Sequence, residues 1–186
     1  MVITNPQLPP KNGYVEVEIE SERTYQNIAT GRLINEENRL PTTIEEIRAD
    51  RLNKLDGMCS GAIYVGLDIG AKHYSFTQLA QDSIKGLMQE IQQGATVVPY
   101  KADGEGFTPH TAEQMTTIAK AMSEWIKVNT HYYDLLKQWV ERETNEAVIS
   151  TIRYGSALPA DLMQTLGTQL AQYSIDIRKY VAMLTE

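Results

Sequence analysis

Apolar and polar positions alternate most cleanly at Tyr14-Val-Glu-Val-Glu-Ile-Glu20, where Val15, Val17 and Ile19 are set against Glu16, Glu18 and Glu20. A period of two belongs to a half-buried strand, so this segment is predicted to be extended, its glutamates facing water or a basic partner. Residues 1 to 13 carry Pro6, Pro9, Pro10 and Gly13. That density forbids helix and predicts an extended arm that a neighbouring surface would order. Ser21 to Leu40 is polar, with weak strand signals at Tyr25–Ile28 and Leu33–Ile34 that suggest a small hairpin and a linker.

From Pro41 the period lengthens. Thr42 is placed to cap a helix, with Glu45 returning the bond three positions on. Ile44, Ile47, Leu52 and Leu55 form its stripe, and Asp56-Gly57 is predicted to stop it near Leu55. Gly61–Val65 and Lys72–Phe76 are β-prone runs flanking Gly66-Leu-Asp-Ile-Gly70, which predicts a hairpin. Leu79, Ile84, Leu87, Met88 and Ile91 recur at helical spacing as far as Gly94, and Thr96–Tyr100 reads as a short strand that Pro99 places at an edge. After a loop over Lys101–Thr108, Thr108 or Thr111 would cap the longest helix, with Pro109 suited to its first turn. Met115, Ile118, Met122, Trp125, Asn129, Tyr132, Leu136 and Trp139 then follow at spacings of three and four. A shorter helical stretch covers Thr144–Arg153 and closes at Gly155. Leu158-Pro159 opens a last helix with the stripe Leu162, Leu166, Leu170, Tyr173, Ile177, Tyr180 and Leu184. The predicted architecture is α+β: an extended arm with a β element at 1–40, a small helix-hairpin-helix-strand module at 41–108, and a region at 109–186 whose long helices form a helical hairpin or bundle.

Composition narrows function more than fold. With 186 residues, 42% hydrophobic and 22% charged, the chain is globular, one domain or two small ones. Seventeen Lys and Arg against 24 Asp and Glu leave a net charge of −7, so no positive field gathers phosphate backbones and no nucleic-acid partner is expected. A single cysteine, Cys59, allows neither an internal disulfide nor a site needing two thiolates. No apolar run approaches the roughly 20 residues that span a bilayer, so membrane insertion is not expected. The start MVITNPQLPP lacks the basic and hydrophobic regions of a signal peptide.

Chemistry is sparse. Val65-Gly-Leu-Asp-Ile-Gly-Ala-Lys72 resembles the first phosphate loop of the actin and sugar-kinase superfamily, which would imply a nucleotide-binding enzyme using Asp68 and the Gly66–Gly70 loop. The superfamily's second Asp-Gly loop and adenosine motif have no counterpart in the sequence, and a glycine-bounded turn accounts for the same letters. His73, His110 and His131 include no pair spaced to put two ligands on one helix face, and Asp103 and Glu105 lack the acidic ladder of an EF-hand. Cys59 has no histidine near it in sequence, and no serine sits in a Gly-x-Ser-x-Gly turn. No catalytic, cofactor-binding or metal-binding residue is assigned, and the chain is not expected to be an enzyme.

Ten tyrosines against two phenylalanines, with two tryptophans and seven methionines, are a composition favoured where apolar groups meet a wet interface. The candidate partner-binding residues are therefore Tyr14, Val15, Val17 and Ile19 of the strand and Trp125, Tyr132, Trp139, Tyr173 and Tyr180 of the helical stripes.

One stretch carries a resemblance. Ile44-Glu-Glu-Ile-Arg-Ala-Asp-Arg-Leu-Asn-Lys54 is followed by Ala62-Ile-Tyr-Val-Gly-Leu-Asp-Ile-Gly-Ala-Lys-His-Tyr-Ser-Phe76, then a helix, the strand Val97–Tyr100, the turn Lys101–Gly104, and Phe107-Thr-Pro-His-Thr-Ala-Glu-Gln114 at the start of a long helix. In this order, residues 42 to about 143 resemble a family of unknown-function domains found in tail and tail-fibre-associated proteins of tailed bacteriophages and prophages. The family often has Trp where this chain has Tyr100 and usually ends soon after the long helix. The resemblance implies a structural component of a phage tail or baseplate that anchors or connects receptor-binding fibres through protein–protein interfaces. Its partners would be other tail, baseplate or fibre proteins, as a homo-oligomer or within a multi-chain assembly. It would reside in the virion after assembly in the bacterial host cytoplasm. The resemblance brings no catalytic residues and no cofactor. A tail-fibre assembly chaperone, absent from the mature virion, is the alternative, and the nucleotide-binding enzyme a remote third.

Overall fold

A computed structural model describes three strands between residues 14 and 35 by their backbone, and residues 43 to 185 in full. The predicted arm at 1–13 lies outside the described residues. The chain divides into two compact units, 1–50 and 51–186.

In the first unit, β1 (Tyr14–Ile19), β2 (Glu22–Asn27) and β3 (Leu33–Asn35) form an antiparallel sheet in that order. Val17 pairs with Thr24, and Tyr25 with Ile34. The alternating pattern is thus realised over Tyr14–Ile19 as a strand at the sheet's edge. Helix α1 (Ile44–Val65) begins one residue later than predicted: Thr43 Oγ1 accepts from the Glu46 amide at 3.2 Å, and the Glu46 carboxylate accepts from the Thr43 amide at 3.3 Å.

In the second unit, α1 does not stop at Asp56-Gly57. Packing on both sides of Gly57 carries the helix through it: Leu55 and Cys59 are buried, Tyr133 donates to Asp56 at 2.9 Å, and the Trp125 indole donates to the Ala62 carbonyl at 3.2 Å. These contacts offset the roughly 1 kcal/mol that a mid-helix glycine costs. The run Gly61–Val65, predicted as a strand, is therefore the end of α1. Gly66, at φ 84°, turns the chain into β4 (Leu67–Ile69), which pairs with β5 (Lys72–Tyr74). Gly70, at φ 67°, opens the two-residue connection.

Helix α2 (Gln78–Gln92) is capped by Thr77, whose side chain accepts from the Ala80 amide at 3.3 Å. Strand β6 (Val97–Tyr100) pairs with β7 (Thr108–Thr111), a strand where the sequence suggests only a loop and a cap. Pro99 and Pro109 face each other in that ladder, and neither has an N–H to give. Thr111, rather than Thr108, caps α3 (Ala112–Arg142) in a capping box with Gln114.

Helix α3 is the spine. Its predicted stripe is buried from Met115 to Leu136, except that Trp139 is half-buried. Val128, Leu135 and Val140 are buried too, because α2 packs on one side of the helix and α5 (Ala160–Ala171) on another. Asn129 sits fully buried in the stripe. Its amide donates to the Trp125 carbonyl at 2.8 Å and its oxygen accepts from the Tyr154 hydroxyl. Tyr154 follows the short α4 (Glu146–Thr151) and meets the Tyr132 ring edge-on at 5.1 Å.

The last predicted helix is broken into pieces. After α5, Ser174 adopts φ 59°, the Ile175 amide reaches back to the Leu170 carbonyl at 3.1 Å, and the Ser174 amide to that of Ala171 at 2.9 Å. This is a Schellman stop built on serine. A 3₁₀ turn at Ile177–Lys179 and α6 (Val181–Leu184) complete the chain, with Tyr180 and Leu184 buried. An α+β architecture with a helix-hairpin-helix-strand segment and packed C-terminal helices is as the periodicity predicts.

Candidate functional site

The end of β5, one face of α2 from Leu79 to Glu90, and the end of β6 with the loop after it surround an open groove of about 700 Å³. Its floor holds Tyr74 and Tyr100, whose rings stack at 6.1 Å with an interplanar angle of 5°. The buried His110 ring meets Tyr100 edge-on at 6.0 Å. His110 Nδ1 lies 3.0 Å from the Thr108 carbonyl, which can only accept, so Nδ1 carries the proton there. Burial and the nearby carboxylate of Asp103 push the Tyr100 hydroxyl up from its usual range.

One lip is polar and tightly tied. Asp103 accepts from the Ser75 amide and hydroxyl, both at 3.1 Å, while its own amide donates to the His73 carbonyl at 2.9 Å. The His73 ring lies 2.7 Å from Asp68 Oδ1 through Nδ1 and 2.7 Å from the Val65 carbonyl through Nε2. Hydrogen bonding to Asp68, then to Val65, raises its pKa above the ordinary histidine value. Beside it, Lys72 pairs with Glu105 at 2.5 Å.

The rim is apolar and faces water. Leu79 of α2 is 78% exposed and Phe107 of the loop is 69% exposed, with the Lys101 ammonium 5.3 Å from the Phe107 ring centroid. Sequence reading assigned Leu79 to a helical stripe and Phe107 to a loop. The signal for Phe107 is its isolation, one of only two phenylalanines, directly after Gly106 in a polar loop.

The residues singled out in the sequence are scattered. Tyr14, Val15, Val17 and Ile19 lie in β1, and their side chains fall outside the described residues. Trp125, Tyr132 and Tyr180 are buried in the chain's own core, so they do not offer a surface to a partner. Tyr132 donates to the Ser156 carbonyl at 2.7 Å, and Tyr180 donates to Glu124 at 2.8 Å while packing 6.0 Å from Trp125. The periodicity marks these positions as apolar-facing, and the same chain supplies the cover: the Tyr154–Ser156 segment over Tyr132, and the pieces after α5 over Trp125. Of the other helical candidates, Tyr173 is exposed, lying against Lys127 and His131, and Trp139 is half-buried. Burial pushes the Cys59 thiol up to about 11. Asp68 lies in β4 and engages His73, and among the described residues no group of three His, Cys, Asp or Glu side chains is placed to hold a metal ion.

Fold and groove together define a small α+β domain organised on one long helix, with its accessible groove walled by α2, the ends of β5 and β6, and the loop after β6. The chain belongs to the family described as a domain of unknown function, DUF4376, whose model matches residues 43–153, more than half of its length. Comparison with curated proteins and with solved structures gave no match. Among the described residues, no helix is long and apolar enough to cross a membrane.

Proposed function

We propose that this chain is a protein–protein assembly module, a structural component of a bacteriophage tail or baseplate that anchors or connects receptor-binding fibres. The observation that supports a binding role is the groove rim, where Leu79 and Phe107 stand out in water above a floor of stacked tyrosines. Single exposed apolar residues need no explanation, but large ones flanking one concave site mark contact surfaces. The assignment to a tail rests on the resemblance over residues 42 to about 143. Strand β1, at the edge of its sheet, supplies a second means of attachment by strand addition.

Mass spectrometry of purified tailed particles, with a pull-down from the producing cell, tests the reading. The expected result is the chain at fixed stoichiometry in the particles, and loss of the captured tail protein by the double change Leu79→Ser, Phe107→Ser. Recovery only from the producing cell, bound to fibre protein, would establish the assembly chaperone instead. Absence from both would end the tail reading.

A further inference from the structure

We infer that His73 is a proton-controlled clasp: as an imidazolium it ties the C-terminal end of α1 to the β4–β5 hairpin beside the groove, and on losing its proton it gives up one of those ties. The inference is independent of what the groove binds.

The geometry carries it. Nδ1 faces the Asp68 carboxylate and Nε2 faces the Val65 carbonyl, each at 2.7 Å. Both partners only accept, so both bonds require a proton on each nitrogen, which only the cation has. A neutral ring would set one nitrogen lone pair against an oxygen lone pair. Every element packed on the ring favours the charge. Val65 is the last residue of α1, where unpaired carbonyls concentrate negative potential. Asp68 reaches it from β4, and Asp103, in the loop after β6, places Oδ2 3.9 Å from Nε2. Lys72, the neighbouring residue in β5, is held by Glu105.

The ring is also coupled to the groove wall. The His73 carbonyl accepts from the Asp103 amide at 2.9 Å, and Asp103 holds Ser75. At the other end the chain is closely packed: a Cβ at Gly66, next to Val65, would lie 1.9 Å from the Tyr74 carbonyl oxygen. Losing the proton therefore weakens the attachment between α1, the hairpin and the loop carrying Asp103.

The test is an NMR titration of the imidazole nitrogens in the full chain, with His73 assigned by its disappearance in His73→Gln. The clasp requires both His73 nitrogens to be protonated at about pH 6 and the midpoint to lie above the ordinary 6.5. In Asp68→Asn the midpoint should fall. The amide resonances of Gly66 and Asp103 should move with the same midpoint and stay still in His73→Gln. A neutral His73 at that pH, an unchanged midpoint in Asp68→Asn, or amides that do not follow the ring would each overturn the clasp. The wild-type titration alone decides the first point, whatever the variants do to folding.

Discussion

Gly66 and Gly70 bracket the same strand and have the same sign of φ, yet they fill different needs. At Gly66 a Cβ would lie 1.9 Å from the Tyr74 carbonyl oxygen and 2.6 Å from the Ser75 Cα. Both atoms are backbone, so relief requires moving the hairpin off the end of α1. At Gly70 nothing lies within 4 Å, and only the left-handed conformation, φ 67°, is at stake. Gly70→Ala should therefore cost about 1–2 kcal/mol, the penalty of a side chain in that region. Gly66→Ala should cost more than about 3 kcal/mol or prevent folding. Urea unfolding followed by the fluorescence of the buried Trp125 measures both, and equal costs would contradict the close approach at Gly66. The pair also explains a tempting string of letters. Two glycines that satisfy backbone geometry, and an aspartate spent on His73, account for Gly66-Leu-Asp-Ile-Gly70 without a phosphate.

Elements were legible where one strong local signal acted alone. Helix α2 is legible from its periodicity and the Gly94 stop, and α3 from its stripe and the Thr111 cap, because no tertiary contact opposes those local signals. They were misread where tertiary packing outweighs a local preference. Gly57 signals a stop, but Leu55, Cys59 and Ala62 are held against α3, so α1 continues. The β-prone Ile63, Tyr64 and Val65 then become helix, and the hairpin moves on to Leu67. The reverse occurs at Ser174, where an unbroken stripe conceals a turn. Gly94 ends α2 with the same pair of bonds: Ala95 to Glu90 at 3.1 Å and Gly94 to Ile91 at 3.0 Å. Glycine is the usual residue at such a stop, and serine gives no warning of one. The groove is illegible in the sequence for a related reason: Leu79 and Phe107 are separated by 27 intervening positions, and only the fold places them on one groove. Ser174→Gly should stabilise the protein by about 0.5–1 kcal/mol, since it removes a side chain from the left-handed region. Thermal melting reads the change, and a lower melting temperature would show that Ser174 does not sit in that conformation.

At the scale of the whole molecule, these groups set a pH profile with separate limbs. Asp161, hydrogen-bonded to Arg142, and Asp176, hydrogen-bonded to Arg178, are each held at about 2, below the ordinary 3.8. The backbone amides of Asn145 and Thr144 also hold Glu143 low. A lowered folded pKa gives stability that is complete above the unfolded value and lost as pH falls through the folded one, so the acid limb runs from about 4 to about 2. These pairs are exposed, and salt should flatten that limb. His73 has the opposite sign. Its raised folded pKa gives stability that is complete below 6.5 and lost as pH climbs through the folded value. Burial raises Tyr132 to about 12, and the same desolvation with the Asp56 hydrogen bond raises Tyr133 to about 12, so their neutral forms are favoured in the fold. Their contribution is complete below 10 and fails as pH rises from 10 through about 12. Melting temperature should therefore peak between about pH 4 and 6.5, decline through the neutral range, and drop again above 10. The net charge of −7 adds a general repulsion that also grows with pH, so the neutral decline must be separated from it. His73→Gln makes that separation, because it removes one titration and leaves both carboxylate pairs and both tyrosines in place. The variant should lose most of the decline above pH 6.5 in the neutral range while keeping the acid limb and its salt dependence. A decline as steep in the variant as in the wild type would assign the neutral limb to net charge and leave His73 no share in it.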